Sequence, residues 1–193
     1  MNFILASKSP RRKKLLKKIN ISFKTISPPI KEKEIMTNYV LPHKYCIKLA
    51  EEKCKSISEV HKNSIVIGCD TIVYHNNTIY NKPVNKLDAF NQLCSLSNNT
   101  HIVYTGVSVS WKEKKIKFSF YDKTYVTFNK LSKTDIEYYI KEYNPMDKSG
   151  SYGIQDWSSV FVKKINGCYN NVIGFPLSKF YKLCIEKGLI NNE

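Results

Sequence analysis

Asp70 stands inside the run Ser64-Ile-Val-Ile-Gly-Cys-Asp-Thr-Ile-Val-Tyr74, between Ile67 and Ile72, and Lys82-Pro83 follows shortly after. A carboxylate among so many β-branched residues is costly to bury alone, so it needs a cation, a metal or several donors beside it. The run reads as a buried strand that delivers the acid to the edge of a sheet. Asn76-Asn77 reads as a tight hairpin turn, because Asn tolerates positive φ, and the returning Thr78-Ile-Tyr80 carries Lys82 back toward Asp70. Taken alone, the stretch fits equally an Asp70 that caps a turn and a Lys82 that is merely solvated.

A second group of chemically capable residues opens the chain. Phe3-Ile-Leu-Ala6 is a short apolar strand, and Ser7-Lys-Ser-Pro-Arg-Arg12 follows it directly. Ser9 is a natural N-cap and Pro10 loses no hydrogen bond at the first helical position. A strand that feeds a helix N-terminus presents free amides and a positive dipole end, and Arg11 and Arg12 add charge to it, which makes an anion site suited to phosphate. The Walker glycine pattern is absent, so the P-loop mechanism does not apply. The plainer reading, two ordinary first-turn arginines, is weakened because basic residues oppose the dipole there unless an anion is bound.

Further candidates lie in loops and on a helix. Ser27-Pro-Pro-Ile-Lys-Glu-Lys-Glu34 can be neither helix nor central strand, and offers Glu32 and Glu34 as acids or as solvated charge. Lys53 lies one turn after Leu49, directed either into a site or into solvent. Asp147-Lys-Ser-Gly-Ser-Tyr-Gly-Ile-Gln-Asp-Trp157 is glycine-punctuated, crowded with side-chain donors and suited to contacting a ligand.

The elements that must position these residues alternate between the two periods. Helices are expected from Pro10, with Leu15, Leu16 and Ile19 inward; from Pro42, with Cys46, Leu49 and Ala50 inward; over Leu87–Leu96, with Leu87, Ala89, Phe90, Leu93 and Leu96 inward; over Thr134–Tyr143; and over Leu177–Cys184. Strands are expected over Ile21–Ile26, His101–Trp111, Lys117–Phe128 and Val160–Ile165, with Asn171–Pro176 as a short apolar connection. His101 reads as a surface residue at a strand start.

With 193 residues, 42% hydrophobic and 12% aromatic, the chain can build its own core, and residues 1–193 read as one domain. The net charge of +15 invites a nucleic-acid reading, but the lysines are spread along the chain among abundant Asn and Ile, so no specific nucleic-acid partner is expected. Six cysteines without a C-x-x-C pair read as reduced thiols of a cytoplasmic protein, and neither a signal peptide nor a membrane span is expected.

Ile4-Leu-Ala-Ser-Lys-Ser-Pro-Arg-Arg12, Gly68-Cys-Asp-Thr-Ile-Val73 with Lys82-Pro83, and Asp147-Lys-Ser-Gly-Ser-Tyr-Gly-Ile-Gln155 together resemble the Maf family of nucleotide pyrophosphatases. Thr105-Gly-Val107, Ile165-Asn-Gly-Cys-Tyr169 and Gly174-Phe-Pro-Leu177 match in order and spacing, so the resemblance covers nearly the whole chain. It implies an α/β fold of the Maf/ITPase-like kind: an elongated, curved mixed sheet flanked by helices, in two lobes with a central cleft for a nucleoside triphosphate. The implied reaction is hydrolysis between the α- and β-phosphates with a divalent metal cation (Mg, Mn or Co). By matching position, Asp70 is the acceptor that activates water, and Ser7, Arg11, Arg12, Lys53 and Lys82 surround the phosphates. Glu32 joins Asp70 at the metal. A homodimer is one assembly open to such a chain.

Asp70-Thr71 and Gly153-Ile-Gln155 resemble the dTTP/UTP branch, whereas the 7-methyl-GTP branch carries Asp-Gln and Cys-Glu-Gly there. Arg11, Thr71 and Gln155 are thereby the selectivity positions, and an amide such as that of Gln155 can both donate to and accept from a pyrimidine edge. Lys31 in place of an acid before Glu32, Asp156-Trp157 in place of a Gly-led continuation, and Cys69 in place of the common Ala depart from the pattern. Of these, Asp156 bears most on substrate range, because a carboxylate beside Gln155 could accept from amino groups on cytosine or guanine. A nucleic-acid-binding module and a catalytically weak regulator of cell division are the alternatives.

Overall fold

A computed structural model describes residues 2–30 and 41–191. Among these, the strands are β1 (Phe3–Ala6), β2 (Phe23–Ile26), β3 (Ile65–His75), β4 (Thr78–Tyr80), β5 (Thr100–Trp111), β6 (Ile116–Phe128) and β7 (Val162–Asn166). The helices are α1 (Pro10–Lys17), α2 (Pro42–Ser58), α3 (Lys86–Leu96), α4 (Lys133–Tyr143), α5 (Tyr169–Ile173) and α6 (Leu177–Glu186). They build one mixed seven-stranded sheet in the order β2-β1-β3-β5-β6-β7, with β4 paired to β3. β1 runs parallel to both β2 and β3, whereas β4 and β7 are antiparallel to β3 and β6.

The chain divides into two compact units. The first takes Met1–Asp70, Thr105–Asp122 and Gly174–Glu193; the second takes Thr71–Tyr104 and Lys123–Ile173. Strands β3, β5 and β6 each lend residues to both.

In the first unit, α1 forms for the reasons its sequence suggests. Ser9 Oγ accepts from Arg12 N at 3.4 Å, Pro10 opens the helix, and Leu15 and Leu16 are buried while Lys13, Lys14, Lys17 and Lys18 stay exposed. α2 lies unusually close to the sheet. A Cβ on Gly68 would collide with Ala50 O and Cys54 N, and one on Gly106 would collide with Cys46 O, so both strands need glycine where the helix backbone crosses them. Ile4, Ala6, Cys54, Ile57 and Val66 close the core beneath.

In the second unit, Val73, Ala89, Leu93, Val126, Phe128, Tyr139 and Phe161 belong to one buried cluster. Asn76 and Asn77 both have positive φ, as the hairpin between β3 and β4 requires.

The structure corrects several expectations. β3 does not end at Asp70 but continues to His75, so the acid lies mid-strand rather than at a sheet edge. β2 begins only at Phe23. Leu87 is exposed (68%), because the inward stripe of α3 is Ala89, Gln92, Leu93 and Leu96, and Leu87 lies off it. His101 is buried rather than superficial: Tyr152 Oη lies 2.8 Å from its Nε2, and the Phe128 and Tyr152 rings meet it edge-on. The start of the apolar connection expected over Asn171–Pro176 lies in a short helix, Tyr169–Ile173.

Candidate active site

The two groups of residues that open and centre the first unit meet where β1 ends. Ala6 is opposite Gly68 in the parallel register, so Ser7 leaves the sheet just as β3 presents Cys69 and Asp70. From β1 the chain passes through α1 to β2 on one side, then through α2 to β3 on the other. This is a topological switch point, where the carboxyl ends of parallel strands leave room for a ligand.

Asp70 is buried (6% exposed), and its Oδ1 accepts from Lys53 Nζ at 2.5 Å. Lys53 is equally inaccessible (5%), which settles its direction: it points inward. The reason is in the helix. Cys46, Leu49, Ala50 and Lys53 occupy one stripe of α2, so the lysine stands where the pattern would place an apolar residue, and the glycine crossing at Gly68 brings that stripe onto the face from which Asp70 projects. Two buried charges held as a hydrogen-bonded pair are tolerable, whereas either alone would not be.

Cys69, one residue earlier on the strand, points to the opposite face. Its Sγ donates to Gly174 O at 3.3 Å, and Arg12 Nε donates to the same carbonyl at 2.9 Å. Arg12 Nη1 also donates to Ser7 Oγ (3.3 Å), which accepts from Ser9 N as well (3.1 Å). The guanidinium is therefore fixed over the first turn of α1 by groups from both ends of the chain. Burial pushes the Cys69 thiol up to about 11 even with Arg12 nearby, so it remains a protonated donor. Arg11 is half-buried in the same turn.

The second unit holds Thr71, Lys82 and Gln155. The 3-10 turn Ser149–Ser151 organises the first two: Ser149 Oγ donates to Thr71 O (2.7 Å), and Gly150 N donates to Asn81 O (3.3 Å), next to Lys82. Gly150 has φ of 69° and lies against Val73, where a Cβ would approach Cγ2 to 2.6 Å. Val84 N donates to Asp88 Oδ2 (2.9 Å), and Asp88 also accepts from Gln92, whose Oε1 accepts from Ser151 Oγ (2.7 Å). The segment bearing Lys82 is thus held at both ends, while Lys82 itself is exposed. Gln155 is also exposed. Glu32 lies outside the described residues, as does Lys31.

Sequence reasoning missed Gly174, whose carbonyl anchors Arg12, and Gln92, a buried amide on an otherwise apolar stripe. The second left a signal, a polar residue at a core position; a backbone carbonyl leaves none.

The family model described as Maf-like protein matches residues 2–187. The chain belongs to the Maf family. Among Maf relatives, the dTTP/UTP pyrophosphatase of Thermosipho melanesiensis is 46% identical over 190 residues, 98% of this chain and all of that protein. Those of Clostridium botulinum and Bacillus cytotoxicus are 44% and 41% identical over 97% and 93% of this chain, and over 98% and 92% of their own length. Among solved structures, a HAM1 protein from Coxiella burnetii aligns with 96% of this Maf chain and 99% of its own, at 9% identity and a TM-score of 0.46. Among the described residues, no helix is long and apolar enough to cross a membrane.

Proposed function

We propose that this chain hydrolyses dTTP and UTP, with modified pyrimidine triphosphates, to the monophosphate and pyrophosphate, a house-cleaning activity on the cytoplasmic nucleotide pool. The observation that carries this reading is the buried Lys53–Asp70 pair at the carboxyl end of β1, beside the Arg12-bearing N-terminus of α1. Relatives alike over the whole chain and named dTTP/UTP pyrophosphatases support the substrate class.

Phosphoryl transfer requires charge neutralisation, positioning and an oriented water more than covalent help. Arg11, Arg12 and Ser7 bind phosphate oxygens at the α1 N-terminus, with Lys82 as a further cation. Asp70 accepts the proton of the attacking water, whose oxygen bonds to phosphorus as the anhydride P–O bond breaks and pyrophosphate leaves. Lys53 holds and aims Asp70. Thr71 and Gln155 meet the base, with Arg11 contributing to selectivity, and residues 1–193 act as one catalytic domain.

A carboxylate such as that of Asp70 suits a divalent cation such as Mg, Mn or Co. No group of three or more His, Cys, Asp and Glu gathers among the described residues, and an ion of this kind is commonly held by one or two carboxylates together with substrate phosphates. Asp70 and Glu32 would hold it, and it would supply charge neutralisation at the phosphates.

Measuring kcat/KM by pyrophosphate release for dTTP, UTP, CTP, GTP and 7-methyl-GTP on one preparation tests the reading. dTTP and UTP are expected to lead by about tenfold or more, since each buried polar group left unpaired against a wrong base costs roughly 1–3 kcal/mol. A lead for GTP or 7-methyl-GTP over both would overturn the substrate assignment.

A further inference from the structure

The turn that carries Gln155 is held from within by a closed set of hydrogen bonds. Gly153 N donates to Tyr139 Oη and to Ser158 Oγ, both at 3.2 Å. Gly153 O accepts from Ser158 Oγ and from Asp156 N, both at 2.9 Å. Asp156 joins the remaining ends: its Oδ1 accepts from Ser158 N at 3.0 Å and, also at 3.0 Å, shares the single Ser158 hydroxyl proton with Gly153 O, and its Oδ2 accepts from Tyr139 Oη at 3.3 Å and lies 3.8 Å from Lys148 Nζ. Ser158 and Tyr139 are fully buried. Burial, reinforced by the charge of Asp156, drives the Tyr139 phenol upward, so it keeps the proton it donates to Asp156 while accepting from Gly153.

Two further contacts close the arrangement. A Cβ on Gly153 would come within 2.8 Å of Asp156 Oδ2 and 2.9 Å of Lys148 Cε, so the carboxylate and the lysine stem meet over a residue that must have no side chain. Trp157, next in the chain, stacks on Tyr139 at 6.2 Å and meets Phe161 edge-on at 5.5 Å. The contacts with Ser158, Tyr139 and Lys148 turn the Asp156 carboxylate inward, away from the role of a base-reading carboxylate that its place beside Gln155 suggests.

We propose that Asp156 is a positioning residue for nucleobase selection: it fixes the Gly153–Gln155 backbone so that the Gln155 amide is presented in one orientation. This rests on the assignment of Gln155 to the base. A turn held by a carboxylate that accepts from two buried hydroxyls and a backbone amide loses little freedom on binding, which is how pre-organisation improves affinity.

The test compares Asp156→Ala, Asp156→Asn, Ser158→Ala and Gln155→Ala with the unaltered protein, reading kcat and KM for dTTP, UTP and GTP. Asp156→Ala is expected to raise KM for dTTP and UTP by about tenfold and to lower their preference over GTP by a similar factor, with kcat nearly unchanged. Asp156→Asn should recover most of this, because its oxygen still accepts from Ser158 N and its amide can face Tyr139 Oη. A purely structural role would lower stability without moving the dTTP-to-GTP ratio, and that result overturns the proposal. If Asp156→Ala does not fold, Ser158→Ala carries the test, and an unchanged ratio there overturns it equally. Should Gln155→Ala itself leave the ratio unchanged, the base-reading assignment fails; should Gln155→Ala shift it while Asp156→Ala does not, only the positioning role fails.

Discussion

Asp70 and Lys53 form a pair whose members are not equivalent to lose. In Asp70→Asn the amide oxygen can still accept from Lys53 Nζ, so the fold should survive, but the amide cannot take a proton from water. Turnover of dTTP should fall at least about a hundredfold, within the span usual for a general base. Lys53→Ala instead removes the cation from a carboxylate that is only 6% exposed, and should cost about 3–5 kcal/mol in urea unfolding. Equal stability losses in the two variants would show that the pair does not carry the burial of Asp70. The acid was legible in the sequence, because a carboxylate in a β-branched run advertises a hidden partner. Which lysine partners it was not, since that depends on how closely α2 approaches β3. What Asp156 contacts was not legible either: its place beside Gln155 suggests a shared target, whereas its contacts with Ser158, Tyr139 and Lys148 depend on how the turn packs.

In the first unit α1 and α2 hold the candidate site residues, and in the second the 3-10 turn at Ser149–Ser151 holds the segments that carry Thr71 and Lys82. Capping announced the start of α1 at Pro10, because its signals are local, whereas Ile19, expected on the inward side of the helix, lies past its last residue, Lys17, and is only half-buried. The docking of α2 is set by Gly68 and Gly106, and isolated glycines in strand patterns do suggest close backbone approach, though not which backbone comes near. Gly68→Ala should push α2 off the sheet, since the new methyl meets backbone atoms rather than a movable side-chain end. A stability loss of about 1–3 kcal/mol is expected, together with a fall in kcat of between about ten- and a hundredfold as Lys53 shifts from Asp70. Gly188→Ala provides the control: nothing lies within 4 Å of its Cβ position, and its φ of 65° confines the effect to local strain, so kcat should hold. If Gly68→Ala keeps full kcat, close docking of α2 does not position the pair. At the N-terminus of α1, Arg12→Ala should weaken dTTP and UTP alike and leave their ratio intact, as expected of a phosphate ligand; a change in base preference at constant rate would contradict that role.

For the whole molecule, the apolar fraction was enough to point to a chain that folds on its own core, and the resemblance supplied both the α/β fold and the family. The resemblance implied two lobes, but the bounds of the two units were not legible, because their segments interleave without a linker and β3, β5 and β6 run through both. Nor was the burial of His101, which depends on rings contributed by Phe128 and Tyr152. Burial, with His75 as a neighbouring charge, lowers the His101 pKa to about 3. The folded value lies below the unfolded value of about 6.5, so as pH falls through 6.5 the unfolded chain gains a proton that the folded chain refuses, and stability declines toward pH 3. Between pH 6.5 and pH 5 this amounts to about 2 kcal/mol at most. Urea unfolding at both pH values should show that loss shrinking by a corresponding amount in His101→Gln, and identical pH dependence in the two proteins would exclude His101 as the source.

The hydrogen bond from Arg12 Nε to Gly174 O spans 162 positions of the chain. During synthesis at about 5–20 residues per second, the arginine therefore leaves the ribosome roughly 10–30 s before the carbonyl that orients it exists. A nascent chain stopped anywhere short of Gly174 can form α1 but lacks this anchor for the Arg12 guanidinium.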